Sequence, residues 1–193
     1  MIRYDGETDE DQKLWNTYLY WARQEARYPC TDPPTEPRAF VDDHEKRIGD
    51  DTAATLRTIV FSCFALEYRL KRTLKALNVQ FPKKEPFGDF FRQFWNRLSK
   101  KERLDGKGKC GPPSEWSLID PDLKSVIGLR NDIAHANYSE TVRFISGCLD
   151  PVATARKFYN AVVDAIRLVN QGTGYYDVKG PEELKEYFRP LRV

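Results

Sequence analysis

The stretch from Thr52 to Leu77, T-A-A-T-L-R-T-I-V-F-S-C-F-A-L-E-Y-R-L-K-R-T-L-K-A-L, decides how the rest of the chain is read. Ala53, Leu56, Ile59, Val60, Cys63, Leu66, Leu70, Leu74 and Leu77 recur at intervals of three and four, which draws one apolar stripe along an α-helix. Asp51 and Thr52 stand where caps belong, so the pattern predicts a long helix beginning near Asp50. Glu67 falls on or beside that stripe. Two readings of it are open, an acid that holds Arg130 and a simple edge residue.

The same period continues on both sides. From Asp11 to about Arg27, Leu14, Tyr18, Trp21 and Ala22 keep helical spacing until P-C-T-D-P-P-T-E-P breaks it. Downstream, Phe87–Leu98 carries aromatic residues at helical spacing and runs into a loop rich in lysine and glycine. Asp120 and Pro121 occupy the cap and first-turn positions of a further helix, with Leu123, Val126 and Ile127 as its stripe. Asp150 and Pro151 repeat the device before a strongly periodic run that Gly172 and Gly174 close. A short last helix is expected around Pro181–Phe188, and Tyr138–Ile145 is the one segment with a claim to extended structure. The fold class that follows is all-α, a helical bundle without internal repeats.

Composition narrows the function classes. The chain of 193 residues is 40% hydrophobic, 13% aromatic and 31% charged, the profile of a globular protein with one substantial core. The acidic N-terminus lacks the apolar segment of a secretory signal, and no apolar run approaches the roughly eighteen residues of a membrane span. The expectation is a cytoplasmic chain with no membrane partner. Cys30, Cys63, Cys110 and Cys148 form no C-x-x-C pair, and His44 between Asp43 and Glu45 has no convergent partners at ligand spacing, so neither a metal nor a cofactor is expected. Cys63 reads as a core residue.

The net charge of +2 conceals a basic middle. Lys100, Lys101, Lys107 and Lys109 lie in the loop after Phe87–Leu98 and could face RNA phosphates, or could be an ordinary solvated loop. Phe91, Phe94 and Trp95 beside them could stack on bases, but their helical spacing favours the core.

The segment R-N-D-I-A-H-A-N-Y, Arg130–Tyr138, interrupts a packed helix with polar side chains. Arg130 follows Ile127 and Val126 at stripe positions, so its guanidinium must be paired or must line a cleft. Asn131 and His135 share a face, while Arg130 and His135 stand roughly 140° apart around the helix and about 7.5 Å apart along it. They can border one groove but not one small pocket wall. A fixed cation, an amide and a group titrating near neutrality are the parts needed to cleave RNA without a metal.

R-N-D-I-A-H, Arg130–His135, resembles the arginine-to-histidine motif of HEPN domains, small α-helical proteins, and the long helix with an acid in its stripe is similar to the one that opens a HEPN core. The resemblance covers roughly residues 50–171, which leaves residues 1–49 as an extension of one helix and a proline-rich loop before a HEPN-like domain at 50–193. It implies a metal-independent endoribonuclease acting as a homodimer on single-stranded RNA, with Arg130 and His135 catalytic, Asn131 orienting them, and Glu67 and Asp132 as supporting acids. Roles as a toxin or defence effector, held by an antitoxin or regulatory protein, belong to the same implication. The alternative it leaves open is a catalytically inactive scaffold for RNA, a nucleotide or a protein. One departure is plain: HEPN toxins paired with a nucleotidyltransferase antitoxin carry a modified tyrosine two residues after the histidine, where this chain has Asn137, and Tyr138 comes one later.

Overall fold

The stripe that starts at Asp50 folds into an uninterrupted helix of 27 residues. In the computed structural model, residues 9–26, 41–42, 47–48, 50–80, 87–97, 116–146, 150–173 and 190–192 are described. Their elements run α1 (Asp9–Ala26), β1 (Val41–Asp42), β2 (Arg47–Ile48), α2 (Asp50–Ala76), α3 (Phe87–Arg97), α4 (Trp116–Ala134), α5 (Tyr138–Ser146) and α6 (Pro151–Thr173). The two-residue strands pair antiparallel with Val41 opposite Ile48. Apart from that ladder the architecture is helical, an all-α fold.

α2 is the spine, because α1, α3, α4 and α6 all pack against it. It therefore buries more than its predicted stripe. Ile59, Cys63, Leu66, Leu70 and Leu74 are sealed, and so are Thr58, Ser62, Arg69 and Thr73. Thr58 and Thr73 return their hydroxyls to the carbonyls of Ala54 and Arg69, each at 2.9 Å, which satisfies the oxygens without leaving the helix. Arg69 donates from Nη2 to Asn170 Oδ1 on α6 at 2.5 Å. Arg23 of α1 donates to the Tyr159 hydroxyl at 3.3 Å and lies 5.8 Å from the centre of that ring. Leu19, Ala22 and Ala26 place α1 in the same core as α2 and α6.

Three local expectations change. α4 begins a full turn earlier than Asp120, at Trp116, and Pro121 lies inside it. The reason is packing: Trp116 is buried against Phe91 and Trp95, with ring centres 5.5 and 5.4 Å away, and this holds an extra turn ahead of the proline. Tyr138–Ser146 is helical rather than extended. Its β-branched and aromatic residues favour a strand only weakly, and a cap at Asn137 together with Phe144 stacked on Phe158 at 6.0 Å overrides them. α6 starts as expected, with Asp150 Oδ1 accepting the Ala153 amide at 2.9 Å, but Gly172 lies inside it rather than closing it, and Gly174 lies outside the described residues. Asn160 on α6 grips the backbone of Leu191 through both its amide atoms, at 2.8 and 2.7 Å. The helix expected at Pro181–Phe188 lies outside the described residues.

Candidate functional site

The polar motif occupies the last turns of α4 and the corner that follows. The His135 amide closes the helix on the Asn131 carbonyl at 2.9 Å. Ala136 then takes a left-handed conformation, φ 53°, so that its amide reaches Ile133 O at 3.2 Å and the Asn137 amide reaches Asp132 O at 2.8 Å. This is the paired bond pattern of a Schellman stop. Asn137 also opens α5: its carbonyl accepts the amide and the hydroxyl of Thr141, both at 3.2 Å. One residue thus ends one helix and begins the next, and His135 is left exposed at the corner. Among the described residues its ring has no hydrogen-bond or ion-pair partner.

Arg130 points the other way, into the bundle. Its Nη2 lies 3.4 Å from Glu67 Oε2, and its Nη1 donates to Asn131 Oδ1 at 3.0 Å. The guanidinium sits 5.5 Å from the Phe64 ring and 6.0 Å from the Phe87 ring, a cation between aromatic faces. Both charged side chains are mostly buried, at 19% and 16% exposure. Mutual pairing is what makes that burial tolerable. Glu67 also pairs with Lys71 one turn along α2. Of the two readings open for Glu67, the structure selects the acid that holds Arg130.

Beneath this pair, the Cys63 thiol lies 3.6 Å from the Val126 carbonyl. Burial pushes the thiol up to about 12, Arg130 pulls it down and Glu67 raises it further, so it stays protonated. Cys63 is core, as its place in the stripe implies.

The structure brings Arg130, Asn131 and Glu67 into one cluster. Asp132 lies apart, its Oδ1 accepting Asn137 Nδ2 at 3.1 Å across the corner. Phe91, Phe94 and Trp95 are buried in the core, which removes them as stacking surfaces. Lys100, Lys101, Lys107, Lys109 and His44 lie outside the described residues.

Sequence reasoning missed Phe64 and Phe87, whose rings frame the arginine, and Lys71, which pairs with Glu67. On α2 the signal was spacing, since Phe64 and Lys71 flank Glu67 by three and four residues; Phe87, on α3, carried none. Phe64 further joins Arg130 to a ring cluster, with Tyr18 5.2 Å away and Tyr18 in turn edge-on to Trp21. Among the described residues, no three His, Cys, Asp or Glu side chains converge as an ion site, and no helix is long and apolar enough to cross a membrane. Comparison with protein-family models, with curated proteins and with solved structures found no match.

Proposed function

We propose that this chain is a metal-independent endoribonuclease of HEPN type that cleaves single-stranded RNA by attack of the ribose 2'-hydroxyl. One observation carries the reading: R-N-D-I-A-H ends a helix of an all-α bundle with an exposed imidazole and an arginine whose position is set by Glu67 and Asn131. His135 has the solvent access to move a proton from the 2'-hydroxyl or to the leaving 5' oxygen. Arg130, mostly buried on Glu67 and turned away from His135 within one chain, lends its positive charge to the phosphorane by leaving that ion pair or by meeting the histidine of a second copy. Acid and base together call for two titrating groups, which a second copy of the chain supplies with its own histidine in a shared cleft. RNA and that second copy are the partners of this reading. A toxin or defence effector restrained by an antitoxin or regulatory protein, working in the cytoplasm, is its biological form.

Purified protein should cut single-stranded RNA in the presence of a chelator and leave a 2',3'-cyclic phosphate. His135→Ala should lose about two or more orders of magnitude in rate while remaining folded. Full activity in that variant, or cleavage of RNA carrying 2'-deoxyribose at the cut site, would overturn the mechanism.

A second reading, a binding scaffold without turnover, is favoured by a different observation. The guanidinium of Arg130 already has an acid, an amide and two rings for company, which is how a purely structural arginine is held. RNA binding without cleavage under any condition would select it.

A further inference from the structure

α4 and α5 meet behind the motif at a cleft of about 340 Å³. Leu129 and Phe144 give it an apolar lining, Asp132 and Glu140 bring carboxylates, and Lys124 and Arg143 bring positive charge to its walls. Gly128 lines it too, and that glycine has no packing explanation: a Cβ built on it would meet nothing within 4 Å. Glycine inside a helix is unfavourable, because the chain surrenders more freedom there than alanine does. A helical glycine facing open space, with no neighbour that needs the room, makes sense where something else must come close to the backbone.

We infer that this cleft binds one nucleotide of single-stranded RNA, with guanine as its base. A flat ring can lie along Leu129, Phe144 and the bare backbone at Gly128. Asp132 is spoken for only at Oδ1, by Asn137, among the described residues. Its Oδ2 and a second lone pair of Oδ1 remain able to accept. Of the four bases, guanine alone offers two adjacent N–H donors on its Watson–Crick edge to one carboxylate. Adenine, cytosine and uracil set an acceptor beside their donor, and that acceptor would face a carboxylate lone pair. The phosphates fall to Arg143 and Lys124, whose side chains are 80% and 69% exposed and, among the described residues, are held by Glu140 and Asp120 on their own helices.

Asp132 is three residues before His135, so a guanosine held there adjoins the scissile phosphate. The meaning for cleavage rests on the ribonuclease reading, but the binding does not. The wild-type chain should therefore be titrated calorimetrically with GMP, AMP, CMP and UMP, none of which offers an internucleotide bond to cut. GMP should bind at least about tenfold tighter than the other three, and Asp132→Asn should remove that preference. Gly128→Leu should abolish binding while the thermal midpoint holds or rises, because a leucine fills the cleft without displacing the core. Equal affinity for all four nucleotides, no binding up to millimolar concentration, or GMP binding that survives Gly128→Leu would each overturn the inference. Selective GMP binding in a protein that never cuts RNA would sink the ribonuclease reading and leave this one standing. Cleavage whose base preference is untouched by Asp132→Asn would do the reverse.

Discussion

Ala136 is the residue on which the corner turns, and it is a costly choice. At φ 53° its Cβ crowds the backbone, where a glycine would not. Ala136→Gly should stabilise the protein by about 1 kcal/mol, read as a rise of roughly 2–4 °C in the thermal midpoint. A fall would mean that the Ala136 methyl makes contacts worth more than the strain. Asn78 closes α2 by the same device, φ 56° with the Val79 amide on Leu74 O at 2.9 Å, but asparagine tolerates that region better. Cys63 makes a separate prediction. Its thiol has an ordinary value of 9.0 and is pushed up to about 12, so below the first value it is protonated whether the chain is folded or not. Between the two values the unfolded chain releases the proton and the folded chain keeps it, so stability must fall as pH rises through that window. Cys63→Ala should flatten this part of the alkaline decline, which denaturation curves of both proteins at about pH 8 and about pH 11 would reveal. Equal slopes in the two proteins would contradict the shift. That Arg130 needs a partner is legible from its place in a stripe, and Glu67 is a candidate because it stands on or beside the stripe of α2; that the two side chains meet is decided by how α2 packs on α4.

Elements followed their periodicity where the apolar pattern was long. α2 and α6 begin where the sequence places them, although Asp51 and Thr52, expected as caps, lie inside the first turn of α2, while Asp150 caps α6 as expected. α5 did not follow, because nine residues of mixed propensity take their form from what precedes them. Asn137 supplies that, bonding Asp132 at 3.1 Å and Ser139 at 3.4 Å through its side chain. Asn137→Ala should cost about 1 kcal/mol, and hydrogen exchange should rise first in α5. Protection lost evenly over α4, α5 and α6 would argue against a local cap.

For the whole molecule, the shared-cleft mechanism requires a homodimer through the helix that bears Arg130. Sedimentation at micromolar concentration should show a dimer, and a strict monomer that still cleaves RNA would remove the second histidine from the mechanism. The helical class, the principal helices and the suspicion attached to Arg130, Asn131 and His135 were all determined by the sequence, because periodicity, caps and a lone cation in an apolar stripe are properties of neighbouring residues. Only the tertiary structure decided which way those side chains go. Arg130 turns inward because Glu67, sixty-three positions away, and the rings of Phe64 and Phe87 converge on it. His135 turns outward because Ala136 stops the helix one residue later. The burial of Arg23 and Arg69 depends on helices distant in sequence arriving side by side, and the cleft at Gly128 on the angle at which the corner at Ala136 turns α4 into α5; apolar periodicity encodes neither.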